Sequence, residues 1–122
     1  AVAIDTSGSI DGVTLQQFAT ELNAIATEVR PARTHVIYCD AKVHGVETFE
    51  QDDVIQLTPK GGGGTAFGPA LDAAERLDEP PCCLVYLTDL YGEHRRQAPM
   101  MPLLWVTTGD THAPYGDVVR LE

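Results

Sequence analysis

The chain of 122 residues sets 18 acidic against 8 basic side chains, a formal net charge of −10, and is 43% hydrophobic, which suits one core at ordinary domain length. Nucleic-acid binders neutralise phosphates with clustered Lys and Arg; the nearest cluster here is Arg95-Arg96, so nucleic acid and anionic membrane are disfavoured as partners. No run approaches the ~20 apolar residues of a spanning helix, and none has the form of a signal peptide; the chain reads as one cytoplasmic domain over 1–122, cut from a longer polypeptide.

The first predicted element is a buried strand, Ala1-Val2-Ala3-Ile4, which runs into Asp5-Thr6-Ser7-Gly8-Ser9. That loop places a carboxylate and two hydroxyls at alternate positions, three oxygens for one side of a backbone. Hard divalent cations such as Mg²⁺ take oxygen ligands in octahedral geometry, with one or two carboxylates and several waters. The same residue types also make ordinary turns and helix N-caps. Leu15, Phe18, Ala19, Leu22, Ile25, Ala26 and Val29 then recur at three- and four-residue steps, predicting a helix from about Asp11 to Arg30 that Pro31 stops. Thr34 to Asp40 and Val43 to Phe49 read as a hairpin whose second, half-polar strand lies at an edge. Asp40 ends the first of these strands. A local turn role is favoured for it, with orientation of a metal-bound water as the accessory alternative.

Gly61-Gly62-Gly63-Gly64-Thr65 precedes a second amphipathic helix marked by Phe67, Ala70, Leu71, Ala74 and Leu77, with Pro69 in its first turn. Cys82 to Thr88 and Leu103 to Val106 are continuous apolar runs, the pattern of strands covered on both faces, and Val118-Val119 suggests a short last strand. The order β-α-β-β-α-β-β-β implies an α/β three-layer sandwich. Its central sheet is expected to be mostly parallel and doubly wound, Rossmann-like, with one antiparallel edge strand. Ligands in such sheets bind beyond the carboxyl ends of the strands, where Asp5 and Asp89 fall.

Cys39, Cys82 and Cys83 sit in apolar runs without Cys-x-x-Cys or zinc-finger spacing; they are read as buried, reduced, small hydrophobes of a reducing compartment. Trp105 and Tyr86 are assigned to the core, and Tyr91, Tyr115 and His94 to the rim of the site. The glycine loop satisfies a G-x-G-x-x-A spacing but follows a polar segment rather than the first strand of its unit, and Lys60 precedes the glycines instead of following them. Asp5-Thr6-Ser7-Gly8 is one residue longer than an aspartic-protease turn and lacks a second such carboxylate loop.

With Asp5-x-Ser7-x-Ser9, Thr65 and Asp89 in this order, the sequence resembles the von Willebrand factor A-type (VWA-like) domain over nearly its whole length. That resemblance implies a metal-ion-dependent adhesion site with Asp5, Ser7, Ser9, Thr65 and Asp89 around a Mg²⁺, with Mn²⁺ or Ca²⁺ as alternatives. It implies a non-enzymatic interaction module that binds a partner's Asp or Glu through the metal. Within the family the chain resembles bacterial VWA-like domains at the carboxyl end of proteins whose upstream half resembles a metallopeptidase, which makes a AAA+ ATPase or the parent's own upstream domain the expected partner. A metal-dependent hydrolase or nucleotide-binding domain is the alternative function. Two departures stand out: Leu90 and Tyr91 follow Asp89 where the family commonly has Gly, which would narrow the site, and the stretch from Glu93 to Pro102 leaves little room for the usual helix.

Overall fold

The computed structural model describes residues 1–6, 12–29, 33–51, 53–55, 57, 64, 66–78, 81–90, 92–107 and 112–120. In chain order these form β1 (Val2–Asp5), α1 (Gly12–Val29), β2 (Arg33–Cys39), β3 (Val43–Glu50), α2 (Gly68–Glu75), β4 (Leu84–Thr88), β5 (Leu103–Thr107) and β6 (Asp117–Arg120). The strands make one six-stranded sheet in the order β3-β2-β1-β4-β5-β6. Every pairing is parallel except that of β3, which lies antiparallel to β2 at the edge. The predicted α/β class, element order and antiparallel edge strand are all present.

Alternation along β1 explains the layering. Val2 and Ile4 face the side covered by α1, in a cluster with Phe18, Leu22, Val36, Tyr38, Val85, Leu87 and Val106. Ala3 faces the other side, with Ala70, Leu71 and Ala74 of α2 and with Phe67, Tyr86, Leu90 and Trp105. Each helix therefore buries its apolar stripe on a different face of the sheet. Full burial of a large apolar side chain contributes ~1.5–3 kcal/mol, so Phe18 with Leu22 and Phe67 with Leu71, all at most 2% exposed, anchor the two helices. Trp105 also satisfies its indole N–H, donating to the Tyr115 carbonyl at 2.8 Å. Gly116 lets that approach happen: at φ 78° it is left-handed, and a Cβ there would lie 3.0 Å from the Leu103 carbonyl oxygen and 3.1 Å from the indole nitrogen.

Three features differ from expectation or refine it. Cys82 and Cys83 are exposed and precede β4 instead of lying inside it; only Cys39 is a buried thiol. The apolar run misled because Pro80 and Pro81 cannot donate to a sheet ladder, so regular pairing starts only at Leu84, directly after the cysteines. The polar segment after β3 is also less idle than its composition suggests. Asn23 of α1 donates to the Ile55 carbonyl and accepts from the Ile55 N–H, at 3.0 and 3.1 Å, and Ile55 is buried in the α1-side core. Between β4 and β5, residues 92–102 hold no helix, in line with the shortened connection read from the sequence.

The strand order creates a switch point. From β1 the chain passes through α1 to β2 on one side, and later reaches β4 on the other. In open parallel sheets ligands bind in the crevice at such a reversal, beyond the carboxyl ends of the strands. Asp5 ends β1 and Thr88 ends β4 at that crevice.

Candidate functional site

The register sets the ends of the three central strands level. Asp5 pairs with Cys39 of β2, and Ile4 with Leu87 of β4, so Asp5, Asp40 and the Thr88-Asp89 pair emerge side by side. All four side chains are buried: Asp5 and Thr88 are fully enclosed, Asp40 is 6% and Asp89 8% exposed. The Thr88 hydroxyl donates to Asp5 Oδ2 at 2.5 Å and accepts from the Leu90 N–H at 3.1 Å. Thr88 thus ties the β1 carboxylate to the backbone turn that presents Asp89. The Thr6 N–H and hydroxyl both donate to the Cys39 carbonyl, at 2.8 and 3.1 Å, which holds the first residue after β1 against β2.

Two further loops are drawn to the same edge by backbone bonds. The Ala66 N–H donates to the Asp40 carbonyl at 3.1 Å, and the Phe67 N–H donates to the Glu93 carbonyl at 2.8 Å. The chain next to Thr65 therefore lies against the end of β2 and the segment that follows β4. Asp40 fulfils the turn role read from the sequence, since its Oδ1 accepts the Lys42 N–H at 3.1 Å. It lies beside Asp5 at the strand ends, and His44 Nε2 stands 2.7 Å from the same Oδ1.

Among the predicted ligands, the structure brings Asp5 and Asp89 to adjacent strand ends, with Asp40 beside them; Ser7, Ser9 and Thr65 lie outside the described residues. Among the described residues no three His, Cys, Asp or Glu side chains form a metal-holding group. The donors that are described, two carboxylates and a hydroxyl, are hard oxygen groups, the chemistry of a Mg²⁺ type of site.

Leu90 corrects an expectation. It takes a left-handed backbone, φ 66°, the conformation for which glycine is the ordinary choice, yet its side chain is 1% exposed and packs into the α2-side core. The leucine therefore does not crowd the crevice; it trades backbone strain of ~1–2 kcal/mol for burial. Tyr91 lies outside the described residues. His94 and Tyr115 are half-buried in an aromatic cluster: His94 lies 4.5 Å from Phe67 and 5.4 Å from Trp105 between ring centres, and Tyr115 6.2 Å from His94. Burial lowers the His94 pKa.

Below Asp5, Cys39 Sγ lies 3.0 Å from the Tyr86 hydroxyl. Burial pushes the Cys39 thiol up to about 12 and Tyr86 well above its ordinary range, so both stay protonated at neutral pH. They act as neutral hydrogen-bonding filler between β1, β2 and β4. The Thr88 link, the His44 contact and this pair were not read from the sequence. For Thr88 a signal existed, a hydroxyl at the last inward position of a buried strand.

An open, doubly wound sheet with acidic and hydroxyl side chains gathered at its switch point defines an α/β domain whose candidate site lies at one sheet edge. The family comparison sharpens this: residues 1–122 match the model of the VWA-like domain (DUF2201), and the chain belongs to that family. No curated protein and no solved structure matches the chain.

Proposed function

We propose that the chain is a non-enzymatic, metal-dependent protein-interaction module, which takes a Mg²⁺-type cation at the carboxyl edge of its sheet and binds a partner carboxylate there. One observation carries this reading: Asp5 and Asp89 emerge at neighbouring strand ends of the switch point, both enclosed, with the Thr88 hydroxyl on Asp5. Membership in the VWA-like family supports it. In the proposed site Ser7, Ser9 and Thr65 supply neutral oxygens, while Asp5 and Asp89 bind directly or through water; Asp40 is an accessory group.

When bound, the cation supplies a Lewis-acidic centre for an incoming oxygen. The chain's own residues would hold it: Thr88 orients Asp5, the Leu90 turn presents Asp89, and the Ala66 and Phe67 backbone bonds fix the residues that follow Thr65 against Asp40 and Glu93. Neutral hydroxyl donors leave much of the positive charge uncompensated, and a carboxylate is the side chain that gains most from it. A domain of net charge −10 repels an acidic partner until the cation is present, so binding depends steeply on metal. The partner class is a protein with an exposed Asp or Glu, a AAA+ ATPase or an upstream domain of the same polypeptide being the leading candidates.

Calorimetry with Mg²⁺ and Mn²⁺ on wild type, Asp5→Ala and Ser7→Ala tests the metal. Both variants should lose binding and keep a native circular-dichroism spectrum, and unchanged binding in both sinks the assignment. Partner capture in Mg²⁺ and in EDTA, with wild type and Thr65→Ala, tests the bridge; equal recovery in all four conditions refutes it. Nucleotide added to the metal titration should change nothing, and turnover of it would establish the hydrolase reading.

A further inference from the structure

At the amino edge of the sheet the chain leaves an apolar surface that its own core does not cover. Because β4 and β5 are parallel and Leu84 pairs with Leu103, the segments that enter them lie side by side, closed by a 2.8 Å bond from the Leu84 N–H to the Pro102 carbonyl. Glu75, the last residue of α2, joins them in lining a groove of about 380 Å³ with Pro81, Cys82, Met100, Met101 and Pro102. Met101 packs against the α2-side core, whereas Met100 beside it stands 91% exposed. A hole and an apolar knob therefore share one patch.

The knob is held in place. Pro99 and Pro102 flank the two methionines and fix their own φ angles, and Glu75 Oε2 accepts the Met100 N–H at 3.3 Å. Its Oε1 accepts from Arg95 at 2.5 Å, so the one carboxylate of the lining is already engaged. Apolar surface with methionine and few free charges is the make-up of the centre of a protein–protein interface. The rim then selects the occupant. Among the described residues, the stretch from α2 into β4 is acidic, with Asp72, Glu75 and Asp78 against Arg76, while the stretch from His94 to Pro102 carries Arg95 and Arg96 and no acid. The two walls of the groove thus differ in sign. A two-fold axis running along the groove would set each basic wall against the acidic wall of a second copy, and closed two-fold pairing requires such self-complementarity within one patch. We propose that this groove is the interface of a homodimer, in which Met100 of each copy enters the groove of the other and Arg96 and Asp78 flank the contact.

The net charge of −10 opposes the approach of two copies over most of their surface, which favours a face with cations on one wall. A groove of this size makes a small interface, below the area of permanent dimers, so the pair forms and parts with concentration. Joined at their amino edges, two copies keep both carboxyl edges free. That such a pair would bind its partner bivalently rests on the proposed function; the pairing itself does not.

The test is sedimentation velocity of the chain over about 10–1,000 μM, in Mg²⁺ and in EDTA, with a reductant present so that the exposed Cys82 does not cross-link copies. Wild type should pass from monomer to dimer as concentration rises, equally in both buffers. Met100→Glu places a charge in the groove and should raise the dimer dissociation constant at least about tenfold. Arg96→Glu should raise it by about two- to fivefold, and Arg96→Glu/Asp78→Arg, which exchanges the signs of the two walls, should reverse that loss. Circular dichroism of all three variants should match wild type, since Asp78, Arg96 and Met100 are exposed. A monomer at every concentration, a dimer confined to Mg²⁺ or to oxidising buffer, undiminished pairing of Met100→Glu, or no recovery in the exchanged variant each overturns the interface.

Discussion

Thr88 is the residue whose removal reads most directly on the architecture of the candidate site. Its hydroxyl bonds a buried carboxylate and receives a buried N–H, and Thr88→Val deletes both bonds at almost constant volume. A hydrogen bond to a charged group contributes about 1.5–3 kcal/mol, and an orphaned buried N–H costs about 1–3 kcal/mol. The variant should therefore lose about 4 kcal/mol, taking the middle of those ranges. Thr88→Ser keeps the hydroxyl and loses one buried methyl, a cost of about 1 kcal/mol. With a urea slope of about 2 kcal/mol per M, the two midpoints should stand about 1.5 M apart. Because Thr88 also orients Asp5, Thr88→Val should weaken Mg²⁺ binding by about 10–100-fold, as loss of groups behind metal ligands does elsewhere. Equal denaturation midpoints for the Val and Ser variants would refute the reasoning outright, whatever the metal does.

Chelation should lower the melting temperature without unfolding the domain at 25 °C, because two packed helices and the sheet carry the fold; the metal adds about 2.7 kcal/mol when it is a hundredfold above its dissociation constant. Calorimetric scans in Mg²⁺ and EDTA check this, and an unfolded apo protein contradicts it. At Leu90 two effects compete: truncation of a buried leucine costs about 2–5 kcal/mol, while glycine relieves ~1–2 kcal/mol of left-handed strain. Both Leu90→Gly and Leu90→Ala should destabilise, the glycine variant by about 1 kcal/mol less, and the reverse order in urea melts would show that the strain is absent. Burial holds the folded-state pKa of His94 below its ordinary value, so the unfolded chain binds the extra proton more readily. Its contribution is complete above the ordinary histidine pKa of about 6.5 and is lost as pH falls through the lower folded value. His94→Gln should flatten the stability profile across that window, and an unchanged slope assigns the acid sensitivity to other groups.

What the sequence disclosed follows physical range. Helix α1 was legible from Leu15, Phe18 and Leu22 because a three-to-four step has one physical cause, and β4 and β5 were legible because strands covered on both faces exclude polar residues. The position of Asp5 and Asp89 at one sheet edge followed from those assignments and the parallel direction of the strands they end. Beyond that, contacts with no local pattern stayed hidden. Thr88 and Asp5 are 83 positions apart, and nothing in either segment encodes the other. Cys82 and Cys83 were misplaced because an apolar run says what a strand would accept, not where its ladder begins. The aromatic contacts of His94 and Tyr115 stayed hidden for a related reason: short polar connections with aromatics look like loop tips until Phe67 and Trp105 provide a surface to cover them.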